Sequence, residues 1–229
     1  MTGAGRGIGA AIARRLEADG HRVYRLDVNP GPGVIVCNIT DEAAVNRVAE
    51  EIAVDGPVEV LVNNAGHWRF GALEDVSSED FRAVLDVNVL GTSYAARSAL
   101  RQFRAQGAGH LIVTSSVVGR RGIPGSAFYS ATKAAAVGLV EGIRAETFGT
   151  AIHASIVYPI STATEFHETI RREYGIEYRG RGPKQHVDVV AAAIVSCIAR
   201  PKPEVYPYRP AKWLGVLSVI APRWADRLV

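Results

Sequence analysis

The sequence predicts a single α/β domain built on a doubly wound parallel sheet, and three observations lead to that prediction. Short apolar segments alternate with longer segments of helical periodicity, which is the pattern of repeated β-α-β units. The segment "GPVEVLVNNAG" is almost continuously apolar before its asparagines, as expected of a parallel strand covered by helices on both faces. The 229 residues are enough to bury one large core, so we expect one domain over residues 1–229.

The predicted elements follow one another in a regular order. The predicted strands are "HRVYRLDVN", "GVIVCNITD", "GPVEVLVNNAG", "GHLIVTSS", "AIHASIVYP" and the short "PEVYPY". Helices are predicted after the opening glycines, at residues 41–54, 78–106 and 127–148, in "KQHVDVVAAAIVSCIAR", and in a C-terminal segment at residues 211–229. Between residues 160 and 184 the pattern gives way to a polar stretch, which we expect to be a substrate flap.

Composition excludes several classes of function. The net charge is only +3 and 48% of residues are hydrophobic, so nothing indicates a nucleic-acid partner. Cys37 and Cys197 are far apart and the six histidines are scattered, so neither a disulfide framework nor a metal site is predicted. The glycine-rich start does not resemble a signal peptide. We therefore expect a cytoplasmic protein with reduced thiols.

The late segment "KWLGVLSVIAPRW" contains an apolar run at residues 213–221. That run is far shorter than the ~20 residues that span a bilayer. The favoured interpretation is a short helix that covers the sheet edge or a subunit contact. Attachment to a membrane surface through Trp213 and Trp224 is the alternative, and we do not expect membrane contact.

The opening stretch "TGAGRGIG" is a candidate phosphate-binding loop. It does not fit G-x-G-x-x-G, because Ile8 stands where the last glycine would be, but Thr2, Gly3, Gly7 and Gly9 fit T-G-x-x-x-G-x-G. Glycines there let the backbone approach a pyrophosphate, and the following helix offers N–H groups and the positive end of its dipole. A glycine-rich loop alone is weak evidence.

An acidic residue after the next strand strengthens the prediction. Asp27 stands where a carboxylate would bind the two ribose hydroxyls of NAD, and its charge would repel a 2′-phosphate. Arg6 argues for NADP, but Val28 after the acid offers no second cation, so we favour NAD. The alternative is that Asp27 is only a turn residue before Asn29.

A tyrosine and a lysine lie four residues apart in "FYSATK". On a helix, Tyr129 and Lys133 project from one face. A tyrosine hydroxyl has a pKa of about 10, and a nearby ammonium lowers it, which suits a general acid–base in carbonyl–alcohol interchange. Upstream, Ser115 and Ser116 end a predicted strand, where ligands of parallel sheets bind. We expect Ser116 to lie near Tyr129, unless the serine pair merely ends the strand.

These residues together resemble the short-chain dehydrogenase/reductase family of the Y-x-x-x-K type, and the resemblance covers essentially the whole chain. The motifs that carry it are TGAGRGIG at residues 2–9, NNAG at 63–66, N-V-x-G at 88–91, Ser116, and Tyr129 with Lys133. Each motif is weak singly, but their order and spacing are specific together. The resemblance implies a Rossmann-like fold and hydride transfer between a nicotinamide cofactor and a substrate carbon.

By the same resemblance, Tyr129 exchanges the proton, Ser116 polarises the carbonyl, Lys133 lowers the Tyr129 pKa and holds the ribose, and Asn88 anchors a water leading to Lys133. Cofactor contact is implied for Gly3, Gly5, Arg6, Gly7, Ile8, Gly9, Asp27, Asn38, Ile39, Asn64, Ala65, Gly66, Tyr129, Lys133, Pro159 and Thr164.

Three departures from the family pattern carry expectations of their own. The family's central first strand precedes the glycine loop, but only Met1 precedes Thr2. We expect that the chain begins too late, through a start-site choice or a deletion, and that residues 1–229 alone fold weakly and bind cofactor poorly. Asn38 replaces an acid near the adenine, where its amide still hydrogen-bonds. Ile160 replaces a glycine and adds bulk near the nicotinamide.

The predicted flap does not identify a substrate beyond a small alcohol or ketone. Its cations are consistent with a solvated loop, which is the interpretation we favour; the alternative is that they attract an acidic or carrier-bound acyl substrate. Its aromatic residues are suited to line an apolar pocket above the nicotinamide. The cations are Arg171, Arg172, Arg179, Arg181 and Lys184, and the aromatic residues are Phe166, Tyr174 and Tyr178.

The leading functional hypothesis is an NAD-dependent alcohol dehydrogenase or ketone reductase. The alternative is a non-catalytic protein that keeps the fold as a binding or scaffold module. A third hypothesis, epimerase or dehydratase chemistry on a nucleotide sugar, is disfavoured because too few residues follow the fifth strand for a separate substrate domain. The resemblance also implies a homodimer or homotetramer, in which the long helices pair between subunits.

Overall fold

The computed structural model describes residues 1–162 and 183–227. Its strands are β1 (Arg25–Asp27), β2 (Val34–Val36), β3 (Val60–Asn63), β4 (Ala108–Thr114), β5 (Ala151–Val157) and β6 (Glu204–Val205). Its α-helices are α1 (Gly7–Ala18), α2 (Glu42–Val54), α3 (Ser78–Leu85), α4 (Thr92–Gln106), α5 (Ala127–Glu146), α6 (Val187–Ala199), α7 (Ala211–Ile220) and α8 (Pro222–Ala225).

All of the paired strands run parallel, which confirms the predicted α/β sheet. β1 pairs with β2, and β3, β4, β5 and β6 pair in that order. Thr2 joins the two groups, because it forms parallel bridges to Leu26 on one side and to Asn63 on the other. The sheet therefore places β1 and β2 on one side of Thr2 and the remaining strands on the other.

Residues 1–4 occupy the centre of the sheet, where the sequence predicts that a strand is missing. The Thr2 amide donates to the Val62 carbonyl over 3.0 Å, and the Leu26 amide donates to the Met1 carbonyl over 2.9 Å. The Met1 nitrogen donates to the Tyr24 carbonyl over 2.7 Å. Residues 1 and 2 thus form backbone hydrogen bonds with the segments on both sides.

Beyond Met1, a partly open cavity of about 360 Å³ separates the two groups of strands. Its walls come from the segments that lead into β1 and β3 and from helices on both faces of the sheet. The residues that line it include Val23, Tyr24, Val60, Leu16, Ile198, Ile52, Ala95 and Ala99.

Helices cover both faces of the sheet, as a doubly wound fold requires. Along β4, Leu111 packs with Phe103 of α4 and Val140 of α5, whereas the next residue, Ile112, packs in the core formed by α1 and α6. Successive side chains of a strand point to opposite faces, so β4 contributes to both cores. This burial on both faces explains the apolar character of the central strands.

The helix predicted at residues 78–106 is interrupted. α3 is capped by the Ser77 hydroxyl, which accepts from the Asp80 amide over 3.0 Å, and a π-helical turn at Asp86–Gly91 separates α3 from α4. Such turns insert an extra residue and re-aim the side chains within them. Asn88 lies in this turn and is buried, so the break positions a predicted site residue.

Parts of two predictions lie outside the described residues. Thr164 and most of the flap at residues 160–184, including its aromatic residues and all its cations except Lys184, fall in the range 163–182. At the C-terminus, the predicted helical segment forms α7 and α8 up to residue 227. Over the described ranges, no helix is long and apolar enough to cross a membrane, and no cluster of potential metal ligands is found.

Candidate active site

A large cleft lies at the carboxyl ends of β1, β3, β4 and β5, as parallel sheets predict for a ligand site. Its volume is about 980 Å³, which is at the upper end of the usual range for ligand pockets. Most of the predicted site residues line it: Gly3, Arg6, Gly7, Ile8, Asp27, Asn38, Ile39, Asn64, Ala65, Gly66, Ser116, Tyr129, Lys133 and Pro159. Gly5, Gly9 and Asn88 support this lining from outside it.

The glycine loop is tight enough to require glycine at two positions. Gly3 has a φ of 62°, and a Cβ there would lie 2.7 Å from the Cα of Ala65. A Cβ on Gly9 would lie 1.9 Å from the carbonyl oxygen of Gly3. In the described structure the N-cap residue Arg6 provides no side-chain cap to α1, so the first N–H groups of this helix suit an anionic ligand.

Asp27 fastens the glycine loop and the turn after β1 at the same time. One carboxylate oxygen accepts from the Gly5 amide over 2.9 Å, and the other accepts from the Asn29 amide over 3.0 Å. The carboxylate is buried yet borders the cleft. The turn function that the sequence offered as an alternative is therefore real, and it coexists with a position suited to bind a ribose.

Tyr129 and Lys133 project from the first turns of α5 into the cleft. The Lys133 ammonium lies 5.7 Å from the centroid of the Tyr129 ring and donates to the Thr114 carbonyl at the end of β4 over 3.1 Å. Lys133 is buried, and the resulting desolvation lowers its pKa to about 8. The predicted pair is thus assembled beside the strand end that carries the two serines.

The two serines after β4 differ in what they contact. The Ser115 hydroxyl donates to the Lys133 carbonyl over 2.8 Å and is buried, so it fixes α5 to the sheet. Among residues 1–162 and 183–227, the hydrogen bonds of the Ser116 hydroxyl are long, at 3.4 Å to the Pro159 carbonyl and 3.4 Å from the Val118 amide. Such weak contacts leave the Ser116 hydroxyl available to a ligand in the cleft.

Asn88 holds the segment after β3 against α5. Its amide nitrogen donates to the His67 carbonyl over 2.8 Å and to the Thr132 hydroxyl over 3.0 Å, and its oxygen accepts from the His67 amide over 2.8 Å. Thr132 directly precedes Lys133 in α5. Asn88 therefore supports the position of Lys133 through protein contacts.

The profile of the family described as short chain dehydrogenase matches residues 1–175. The chain belongs to this family. The resemblance on which the sequence prediction relied is thereby confirmed, and the family's sequence profile covers both the glycine loop and the Tyr129–Lys133 pair.

The chain is also similar in sequence to individual members of the short chain dehydrogenase family. The 3-oxoacyl-[acyl-carrier-protein] reductase MabA of Mycobacterium tuberculosis is 38% identical over 164 residues, which are 69% of this chain and 66% of that protein. The matched region thus spans slightly less than two thirds of that relative.

Two solved structures of short chain dehydrogenases superpose on nearly the whole chain. One from Burkholderia phymatum in complex with NAD has a TM-score of 0.86 at 23% identity. Another from Burkholderia cenocepacia in complex with NADP has a TM-score of 0.81 at 31% identity. Each match covers 98% of this chain and 93% of the other. The neighbours therefore bind a nicotinamide cofactor, in one case NAD and in the other NADP.

Sequence reasoning missed the apolar wall of this dehydrogenase cleft. The Trp68 ring lies 5.9 Å from the Tyr129 ring and 5.8 Å from the Phe70 ring, and Tyr208 and Leu214 line the same cleft from the C-terminal segment. The only signal in the sequence is the pair of aromatic residues in "HWRF", directly after NNAG. Because the HWRF segment and α7 are far apart in sequence, the sequence gives no indication that they line the same cleft.

Proposed function

We propose that the protein is an oxidoreductase that transfers a hydride between a nicotinamide cofactor and a carbonyl or secondary alcohol carbon. The observation that carries this proposal is that one cleft contains both a glycine loop at the start of α1 and the Tyr129–Lys133 pair. The loop suits the phosphates, and the pair suits proton exchange at a carbonyl oxygen. A scaffold protein would require neither feature in this arrangement.

The cofactor fits the residues that are present. Close backbone approach at Gly3 and Gly9 leaves no room for a Cβ, and the first turn of α1 presents N–H groups, so this end of the cleft suits the pyrophosphate. Asp27 suits the ribose hydroxyls, and Asn38 and Ile39 suit the adenine side. The bound nicotinamide would supply or accept the hydride.

Each residue at the other end of the cleft has a distinct role in the proposed reaction. In the direction of reduction, the Tyr129 hydroxyl gives its proton to the carbonyl oxygen as the carbonyl carbon receives the hydride, which yields a secondary alcohol. Ser116 donates a hydrogen bond to the same oxygen as negative charge develops there. The Lys133 ammonium stabilises the tyrosinate that remains on Tyr129. Asn88 maintains the position of Lys133. Oxidation reverses these steps.

We propose NAD rather than NADP as the preferred cofactor. The Asp27 carboxylate borders the cleft and would repel a 2′-phosphate, and the residues that follow it, Val28 and Asn29, carry no positive charge. Arg6 lines the same end of the cleft and would attract that phosphate. We expect the repulsion to prevail because Asp27 is fixed by two backbone amides.

Fluorescence titration with NADH and NADPH tests this preference. We expect NADH to bind at least about tenfold more tightly, and Asp27→Asn to narrow the difference. Asp19→Asn, an exposed carboxylate at the end of α1, serves as the control. Tighter binding of NADPH, abolished by Arg6→Ala, would show that Arg6 selects the cofactor instead.

The proposed substrate class is a 3-oxoacyl thioester, and its support is the named activity of the mycobacterial relative together with the apolar wall around Tyr129. With NADH and acetoacetyl-CoA as the probe, loss of nicotinamide absorbance measures turnover. We expect Tyr129→Phe to lower turnover at least about a hundredfold and Ser116→Ala about a hundredfold. Tyr94→Phe on α4 is the matched control, and equal turnover of Tyr129→Phe and wild type would exclude the assigned chemistry.

We further propose a cytoplasmic homodimer or homotetramer. Two free, buried cysteines are typical of a reducing compartment, and the family resemblance supports pairing through the long helices. Light scattering of the purified chain measures the oligomeric state, and a monomer at micromolar concentration would contradict the proposal.

A further inference from the structure

The C-terminal helices α7 and α8 present an apolar face to solvent. The exposed fractions of its side chains are 72% for Trp213, 83% for Val219, 77% for Ile220 and 64% for Trp224. Large apolar groups exposed next to one another typically mark an interaction surface. We call this set, together with Val216, the C-terminal patch.

Helical spacing places three residues of the patch on one side of α7. Trp213, Val216 and Ile220 are separated by three and four residues, so they lie along one side of α7. Leu214 lies on another side of the helix and lines the cleft. The helix therefore has two apolar sides, one that closes the active-site cleft and one that faces outward.

Positive charges accompany the patch. Lys212 lies beside Val216 and Val219 by helical position, Arg209 precedes the helix, and Arg223 and Arg227 belong to the segment of α8, all of them exposed. The Arg227 guanidinium lies 5.2 Å from the centroid of the Trp224 ring. The only acid in residues 209–227 is Asp226, and it pairs with Arg121.

These features fit a lipid surface with negative headgroups. We propose, contrary to the expectation from the sequence, that the C-terminal patch docks the protein on an anionic membrane surface. Tryptophan favours the boundary between headgroups and acyl chains, a short amphipathic helix lies in that boundary without crossing it, and each nearby Lys or Arg is attracted to anionic lipid. The two apolar sides of α7 would then bring the mouth of the cleft next to the lipid.

A second copy of the chain fits the patch less well. A two-fold contact buries the same surface of both subunits. It would bring Lys212, Arg223 and Arg227 of each copy toward those of the other, without a free carboxylate in this segment to compensate. Charge of one sign disfavours such a contact, whereas it favours a negative surface.

Flotation of the purified protein with vesicles tests the proposal. Wild type should float with phosphatidylcholine vesicles that contain about 30 mol % phosphatidylglycerol and not with phosphatidylcholine alone. Trp213→Ser with Ile220→Ser should weaken vesicle binding at least about tenfold, and Lys212→Glu with Arg223→Glu should do the same. Val54→Ser with Phe148→Ser, which changes exposed apolar residues elsewhere, should leave it unchanged.

Several outcomes would overturn the proposal. One is equal binding of wild type to neutral and anionic vesicles. Another is vesicle binding by the patch variants that equals that of wild type. A third is that wild type does not bind vesicles but forms a dimer, which the patch variants dissociate. The docking does not depend on the proposed oxidoreductase activity. NADH affinity and thermal unfolding of each variant, measured without vesicles, should match wild type, so a failure of catalysis and a failure of docking are separately visible.

Discussion

The two sides of the sheet that meet at Thr2 are built very differently. On the side of the proposed catalytic residues, here called the catalytic side, β4 and β5 pair over seven residues, from Ala108 with Ala151 to Thr114 with Val157, and helices pack both faces. On the side proposed to bind the adenosine of the cofactor, here called the adenosine side, β1 and β2 pair over three residues. A cavity of about 360 Å³ lies between this pair and β3. The first side is packed continuously along two long strands. The other side has short strands and a smaller core, in which Leu26 and Ile35 pack with Val45 of α2.

This difference implies that cofactor affinity and catalytic chemistry depend on different parts of the sheet. The proposed catalytic residues are attached to the long strands. Lys133 is bonded to the end of β4 at Thr114, and Ser115 after β4 bonds to α5. The cofactor loop is attached through Thr2, Asn64 and Asp27. We therefore expect mutations on the adenosine side to affect cofactor affinity and stability together, whereas those at the catalytic residues alter chemistry in a stable protein.

The largest effect on the adenosine side is expected from Gly9→Ala. Its Cβ would overlap the carbonyl of Gly3, so we expect the free energy of unfolding to fall by about 3 kcal/mol and NADH binding to weaken by at least about tenfold. Gly138→Ala on α5 is the matched control, because its Cβ meets nothing within 4 Å; it should stabilise the protein by up to about 1 kcal/mol. Denaturant unfolding measures the stability of both variants. Equal changes in the free energy of unfolding for Gly9→Ala and Gly138→Ala would contradict the proposed difference between the two sides of the sheet.

On the catalytic side, Lys133 gives stability an unusual dependence on pH. Its pKa of about 8 in the folded protein is below its ordinary value of 10.5, so the unfolded chain binds more protons between these values. Stability from this group rises with pH over that window, is fully present above 10.5 and is lost as pH falls through 8.

Lys133→Met should remove that dependence. Measured by denaturant unfolding without cofactor, the variant should be more stable than wild type at pH 7 by about 3 kcal/mol, and the difference should vanish near pH 10.5. Lys212→Met, at an exposed lysine, should keep the wild-type profile. A constant difference between wild type and Lys133→Met over this pH range would mean that Lys133 is not desolvated.

A smaller effect is expected from Thr2→Val at the junction. The Thr2 hydroxyl donates to Asn63 Oδ1 over 2.7 Å and accepts from the amides of Asn64 and Ala65, so its loss leaves these groups without that partner. We expect a destabilisation of about 2 kcal/mol and weaker NADH binding. Thr147→Val, which loses one hydrogen bond to the Ile143 carbonyl at the end of α5, should reduce stability by less than about 1 kcal/mol.

The smallest effect concerns the cavity. Ala99 and Ala136 are both buried in the same core, but Ala99 also lines the cavity between the two groups of strands. Ala99→Leu should therefore stabilise the protein by about 1 kcal/mol, whereas Ala136→Leu should destabilise it by about 2 kcal/mol through overpacking. A loss of stability in both variants would show that the cavity does not accept a larger side chain.

Several features were predictable from the sequence because they depend on local pattern. The order of strands and helices follows from apolar periodicity, and the site motifs stand at the ends of predicted strands, where a parallel sheet gathers its ligands. Thus the sequence alone was enough to assign the carboxyl ends of β1, β3 and β4 to one cleft. The break in the helix at Asp86–Gly91 was not predicted, because nothing in its periodicity separates a π-helical turn from a continuous helix.

The sequence by itself determined the fold class, the family and the motif residues that line the cleft, because these depend on motifs of fixed spacing. Only the tertiary structure decided how Thr2 replaces a strand at the sheet centre, how Asp27 holds Gly5 and Asn29 together, and which side of α7 faces the cleft. Each of these depends on contacts between segments far apart in the chain. Such contacts are selected by packing and hydrogen bonding in three dimensions, which leave no periodic trace in the sequence.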